Sequence, residues 1–331
     1  AVSAFNHPFN LIVHQVIPGV AVGCPVIVKP ASSTPISCLS LVNCLYEAGL
    51  PKEWVQVIIC KGSLAEKIVT DPRVSFVTFI GSGKVGWNMR SKLAPGTRCA
   101  LEHGGAAPVI VESDADIDDA LPLLAKGGFY HAGQVCVSVQ RVFVHEDIVE
   151  DFSNKIVAIA EKLIVGDPTD EKTEVGPLIQ EREVERIHKW VEEAKAAGAK
   201  ILTGGNKIGN TCYEPTVILN PPHDTQVSQS EIFGPVINIY SYKNRNEAIK
   251  LANDVPFSFQ AAVFTSDINA ALESAKDLNA AAVMINDHTA FRVDWMPFAG
   301  RKASGVGVGG ILPTMIEMTE EKLIVFRSKL I

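Results

Sequence analysis

The chain contains no Cys-x-x-Cys pair and no Cys/His cluster, although seven cysteines are present (Cys24, Cys38, Cys44, Cys60, Cys99, Cys136 and Cys212). An odd number of dispersed thiols excludes a disulfide framework and a zinc site. It reads as reduced cysteines in a cytoplasmic compartment, with no metal expected. No apolar run reaches the ~18–20 residues of a spanning helix, so no membrane partner is expected. Basic residues are not in excess: 30 Lys and Arg against 37 Asp and Glu give a net charge of −7. That balance argues against a nucleic-acid or anionic-membrane surface. Internal repeats and low-complexity tracts are also missing. No basic, apolar leader opens the chain, which starts Ala-Val-Ser-Ala-Phe without an initiator Met. A fragment or trimmed chain would begin this way.

What is present is a globular composition, 331 residues with 47% hydrophobic and 20% charged, long enough for two domains. The first hundred residues alternate short apolar runs with helix-length segments. Val26–Val28, 55–59, 74–80 and 98–101 read as strands. Residues 34–48, 63–68 and 84–93 between them read as helices, the first stopped by Gly49 with Pro51 beyond it. Such alternation predicts βαβ units and a parallel sheet covered on both faces. A change of texture near Gly104 marks a domain boundary. Beyond it come strands at 108–111, 140–145 and 237–240 and helices at 148–163 and 181–197, with a last strand at 323–326. The Glu/Lys/Arg face of the 181–197 helix reads as solvated surface.

Two stretches carry chemistry. His131-Ala-Gly133-Gln134-Val-Cys136 places a cysteine just after a Gly-Gln step, where a turn can present backbone N–H groups beside the sulfur. Leu101-Glu102-His103-Gly104-Gly105 lies 34 positions earlier, counting from Cys136 to Glu102. A nucleophilic thiol and a carboxylate base are the parts of covalent catalysis with a hydrolytic second step. Gly81-Ser82-Gly83-Lys84-Val85-Gly86 follows a strand and opens a helix, a setting in which a helix N-terminus can receive a diphosphate. That placement gives Glu102 a rival role, because an acidic residue about twenty positions further on commonly holds ribose hydroxyls. Spacing alone leaves both roles open.

Taken together and in order, the motifs resemble the aldehyde dehydrogenase superfamily over essentially the whole chain. Phe5-Asn6-His7-Pro8-Phe9 resembles the family's asparagine motif and Lys29-Pro-Ala-Ser32-Ser-Thr-Pro35 its cofactor-binding lysine turn. Phe79-Ile-Gly81-Ser82 resembles the pyrophosphate turn, and the Glu102 and Cys136 stretches the base and nucleophile motifs. Glu231-Ile-Phe233-Gly-Pro and Pro297-Phe298-Ala299-Gly300 match two further landmarks. The resemblance implies a Rossmann-like parallel-sheet cofactor domain (1–104, incomplete at its start), an α/β catalytic domain (105–303) and a return segment (304–331) with an oligomerisation strand. It implies a homo-oligomer, dimer or tetramer.

The implied reaction is NAD(P)-dependent oxidation of a small-molecule aldehyde to an acid through a thioester on Cys136. Glu102 then activates water, and Asn6 with the Cys136 backbone N–H stabilises the oxyanion. Lys29, Ser32, Gly81, Ser82, Glu231 and Phe233 are the implied cofactor contacts. The position of Ser32 holds a glutamate in NAD-preferring relatives, and a hydroxyl there inclines the choice toward NADP, with NAD still usable. Phe298 and Arg292 are expected at the substrate pocket. Residues 287–297 resemble the segment of relatives acting on small polar or semialdehyde substrates, although Arg292 pairing with Asp294 or Asp287 at the surface is the simpler expectation. His103, His131 and Ala299 depart from the family pattern. Three rivals remain: a CoA-acylating dehydrogenase, a thiol hydrolase, and a non-catalytic fragment or structural relative.

Overall fold

The computed structural model describes residues 1–329. The strands fall into two mostly parallel sheets, and the chain crosses from one to the other at Gly104-Gly105. In the first, β1 (Val26–Val28) pairs in parallel with β2 (Val55–Val57), and β3 (Phe76–Ile80) with β4 (Arg98–Glu102). Val2 joins these halves, bridging Lys29 on one side and Phe79 on the other. Its N–H donates to Thr78 O at 2.9 Å, and its carbonyl accepts from Ile80 N at 2.9 Å. Helices α1 (Asn10–Ala21), α2 (Ile36–Glu47), α3 (Gly62–Val69) and α4 (Gly83–Arg90) flank the strands. Ile12, Val16, Cys38 and Val42 pack on Val28 and Val55 to form one small core.

The second sheet contains β5 (Ala107–Val111), β6 (Val139–His145), β7 (Lys200–Thr203), β8 (Thr216–Leu219), β9 (Val236–Tyr242), β10 (Gln260–Phe264) and β11 (Ala282–Ile285). Their spatial order is β11-β10-β5-β6-β9-β8-β7, parallel throughout except for β7. Alternate residues of a central strand enter opposite cores. Val109 and Val111 join Leu121, Leu124, Phe152 and Ile187 from helices α5 (Ile117–Phe129), α6 (Val149–Ala160) and α7 (Glu181–Ala196). Ile110 and Phe143 face the other way, onto Ala248 and Ile249 of α8 (Arg245–Asn253). Burial on both faces explains why these strands read as unbroken apolar runs instead of alternating ones.

Arg141 is the exception in that core, a guanidinium only 2% exposed in the middle of β6. Its Nε donates to Ala106 O at 2.8 Å, Nη1 to Leu251 O at 3.2 Å and Nη2 to Ala252 O at 2.7 Å. It therefore ties the crossing segment before β5 to the last carbonyls of α8, where a cation also complements the helix dipole. Burial lowers its pKa to about 10, which leaves it charged at neutral pH.

The return segment rejoins the first sheet. Gly305 and Val306 (β12) pair antiparallel with Glu102 and Leu101 of β4, and α9 (Ile311–Glu317) packs on α1. The strand expected at 323–326 is not one in this chain: among the described residues it joins no ladder. Leu323 and Phe326 are 87% and 81% exposed. A strand needs an edge to pair with, and none of the ladders among the described residues includes this segment. Among the described residues no helix is long and apolar enough to cross a membrane.

Substituting Arg141 by Leu strands the carbonyls of Ala106, Leu251 and Ala252 in an apolar core. A loss of about 3 kcal/mol is expected, read as a lower urea midpoint at unchanged slope. An unshifted midpoint would show that these carbonyls find other donors.

Candidate active site

Cys136 sits on the loop between α5 and β6. Asp116 caps α5 by accepting from Asp119 N at 3.2 Å, and Leu121, Leu124 and Phe129 fix its buried face. Past Phe129 the backbone turns left-handed over three residues, His131 (φ 52°), Ala132 (φ 54°) and Gly133 (φ 68°). Any side chain at Gly133 would put its Cβ 2.0 Å from Gly234 O, so the turn closes only with glycine there. Gln134 then laces the loop to its surroundings. Its Nε2 donates to His131 O at 3.1 Å, and its Oε1 accepts from Ile179 N at 2.9 Å. Thr289 Oγ1 holds Val137 O at 2.7 Å on the far side.

These tethers bring three of the predicted residues together. Asn6 Nδ2 donates to Gln134 O at 2.9 Å, which sets its amide beside the nucleophile loop. Glu102, at the end of β4, accepts from Cys136 Sγ at 3.7 Å through Oε1. That contact favours the base reading of Glu102 over the ribose-ligand one. Burial raises the Glu102 pKa to about 7, against the opposing pull of Arg292 and the Cys136 hydrogen bond. Burial also pushes the Cys136 thiol well above its usual range, and the Glu102 and Glu231 carboxylates add to this. The free site therefore holds the thiol protonated beside the Glu102 carboxyl.

His103 does not face Glu102. Adjacent strand residues point to opposite sides, and its buried ring packs edge-on against Phe79 and Trp87. Nδ1 donates to Gly81 O at 2.8 Å, so His103 props the glycine turn. The same ring fills the space a side chain at Gly86 would need. The last glycine of Gly81-x-Gly83-x-x-Gly86 thus serves ring packing. His131 meets His7, with ring centroids 4.5 Å apart.

A cleft of ≈ 1560 Å³ connects these groups to the predicted cofactor residues. Lys29 and Ser32 line one part of it, Gly81 and Ser82 another, at the N-terminus of α4. Glu231 lies directly over Gly104, where a Cβ would sit 1.5 Å from its Oε1. The Gly105 backbone N–H hydrogen-bonds this carboxyl, and burial raises its pKa to about 8. Phe233, in a left-handed conformation (φ 50°), meets Phe5 edge-on at 5.8 Å.

Two sequence expectations are corrected. The charged face of α7 is not wholly solvated: Arg182, Glu183, Arg186 and Trp190 line the cleft, and Arg186 Nη2 donates to Ile232 O at 2.8 Å. Helical periodicity identifies a polar face but not what lies opposite it, so this contribution was invisible in the sequence. Arg292 does not ion-pair with Asp294 or Asp287. Asp294 meets His14 at 3.5 Å and Asp287 meets His288 at 4.0 Å. The Arg292 guanidinium lies over the Phe298 ring at 4.3 Å, half-buried and inside the cleft.

A cysteine against a buried carboxylate, reached by a long cleft over a glycine turn, defines an enzyme of covalent thiol chemistry with room for a dinucleotide. The comparisons agree. Residues 1–324 match the Aldehyde dehydrogenase family. The 3-sulfolactaldehyde dehydrogenase of Priestia aryabhattai is 42% identical over 326 residues, covering 98% of this chain and 68% of that protein. Aldehyde dehydrogenase 21 from Physcomitrella patens, solved with its reaction product succinate, superposes with a TM-score of 0.95 at 40% identity. That match covers 98% of this chain and 68% of that one. Glyceraldehyde-3-phosphate dehydrogenase GapN from Methanocaldococcus jannaschii, complexed with NADP, gives a TM-score of 0.92 at 38% identity, covering 96% and 70%. The chain belongs to the aldehyde dehydrogenase family, whose members oxidise aldehydes with NAD or NADP by cysteine-based chemistry.

The residues present fit such a dinucleotide. Glu231 Oε1 is buried with no hydrogen-bond partner among the described residues, an acceptor suited to a ribose hydroxyl. The unpaired amides opening α4 suit a pyrophosphate. Replacing Gly104 with Ala forces Glu231 aside without touching the thiol. Dinucleotide affinity should weaken on the order of tenfold, measured by NADPH fluorescence titration. Unchanged affinity would remove Glu231 from the cofactor contacts.

Proposed function

We propose that Cys136 is the nucleophile, Glu102 the general base, and Asn6 with the Cys136 backbone N–H the oxyanion donors. The observation that carries this reading is the contact between the Cys136 sulfur and the Glu102 carboxyl within the cleft. As sulfur bonds to the carbonyl carbon, Glu102 takes the thiol proton and the carbonyl electron pair moves onto oxygen. Asn6 spends one amide N–H on Gln134 O, which leaves the second for that oxygen. The dinucleotide, held by Lys29, Ser32, Gly81, Ser82, Glu231 and Phe233, supplies the hydride acceptor. Glu102 passes its proton to solvent, then removes one from water attacking the Cys136 thioester. The thiolate leaves and the carboxylic acid is released.

A thiol hydrolase would pair Cys136 with histidine, and here the partner is Glu102 while His103 and His131 are engaged elsewhere. A CoA-acylating enzyme has no use for a base that activates water. The substrate class we assign is a small aldehyde with an anionic tail. Among the cations that line the cleft, Arg292 stands within electrostatic reach of Glu102 and Cys136, and the relatives' substrates and product carry a sulfonate, a phosphate and carboxylates. We also assign a cofactor unit at 1–104, a catalytic unit at 105–303, a return segment at 304–331, assembly as a homo-oligomer through the exposed 323–326 segment, and a cytoplasmic location.

With Glu102 neutral below about pH 7 and ionised above it, deacylation should rise with pH through that value. Glu102→Gln should give a slowed but still stoichiometric NAD(P)H burst, little turnover after it, and no such rise. A variant that deacylates normally but binds cofactor poorly would return Glu102 to the ribose-ligand role.

Ser32 faces the question of coenzyme. Ser32→Glu puts a carboxylate where a 2′-phosphate would lie, and the NADP/NAD preference ratio should fall on the order of tenfold at an exposed site. Equal losses for both coenzymes would show that Ser32 does not face the ribose.

A further inference from the structure

His14 of α1 lines the cleft that holds Cys136, together with Arg292 and Asp294. Its side chain is 12% exposed, and Nε2 lies 3.5 Å from Asp294 Oδ1, whereas Asp294 itself is 76% exposed. The other ring nitrogen, Nδ1, is buried with no hydrogen-bond partner among the described residues. A buried nitrogen without a partner is costly unless something supplies one. The charged groups facing His14 are Arg292 and Asp294. Burial and Arg292 lower its proton affinity, and Asp294 raises it. With His14 neutral, the charges of Arg292 and Asp294 cancel, and this part of the cleft offers an anion little net attraction. Imidazole is the one member of the trio able to change charge near neutral pH. Protonated, it donates from Nε2 to Asp294 and from Nδ1 to whatever fills the space beside it.

We propose that His14 is a specificity-determining residue that binds the anionic tail of the aldehyde jointly with Arg292 and takes up one proton from solvent as the tail enters. The inference rests on the anionic-tail reading given above. It has a signature that reading lacks. Because the bound state holds one more proton, preference for an anionic aldehyde falls as pH rises, by at most about tenfold per pH unit. A neutral aldehyde carries no such dependence, so Glu102 ionisation and coenzyme binding cancel in the ratio of the two, apart from repulsion between Glu102 and the tail.

The test compares kcat/KM for 4-oxobutanoate and butanal from about pH 5.5 to about 8.5, a range in which the carboxylate tail does not titrate. In the wild-type enzyme the 4-oxobutanoate/butanal ratio should decline with pH. In His14→Gln the ratio should lose this decline and stand about fivefold lower at the acidic end. The single-turnover burst of Glu102→Gln should keep the decline, which separates His14 from Glu102 without relying on the His14 variant. A decline that persists in His14→Gln, or disappears in Glu102→Gln, overturns the proposal. A flat wild-type ratio that Arg292→Met nevertheless lowers also overturns it, while leaving the anionic-tail reading intact. A ratio that neither pH nor Arg292→Met alters overturns both.

Discussion

The contact between the Cys136 thiol and the Glu102 carboxyl is the interaction on which the arrangement depends. Both groups are withdrawn from water, and burial moves both toward their neutral forms. Side chains in that state gain little from each other across 3.7 Å, so the contact cannot hold itself together. The scaffold must impose it. With its pKa raised to about 7, Glu102 is ionised in a good part of the molecules at neutral pH, and in that form it can accept a proton when the substrate arrives.

The scaffold does this by bringing two sheets to one seam. The first contributes the carboxyl ends of its strands, where ligands of parallel α/β sheets usually bind: Lys29 follows β1, Gly81 follows β3 and Glu102 ends β4. The second contributes the loop that enters β6 and carries Cys136. Nothing in either sheet alone would set the spacing. Arg141 ties the crossing segment to α8, β12 clamps Glu102 from the return segment, and the left-handed turn closes under Gly234. Local strain in that turn is stored just before Cys136, and the close-packed surroundings maintain it.

Much of this could be read from the residues. The βαβ alternation of the first hundred positions, the Glu102 and Cys136 stretches and the glycine turn were all visible as local patterns. Less visible were β7, β8, β10 and β11 and helix α1. Strand β10, Gln260–Phe264, is buried along its whole length and offers no alternation to detect. Arg292 looked like a surface ion-pair residue because two aspartates lie close in sequence, yet the fold pairs each with a histidine. The cleft-lining face of α7 looked like any solvated face, because charge patterning does not report what stands across from it.

The sequence by itself determined the chemistry available: one cysteine after a Gly-Gln step, one carboxylate before two glycines, and a strand-turn-helix fit for a diphosphate. These are short-range patterns, set by backbone sterics and hydrogen-bonding needs within a few residues. Only the tertiary structure decided what that chemistry acts upon and how it is tuned. Glu102 became a partner of the thiol, His103 a prop for the glycine turn, and His14 a neighbour of Arg292, through contacts between residues far apart in the chain. Proton affinities in particular follow burial and through-space charge, and neither exists until the two sheets have closed on one another.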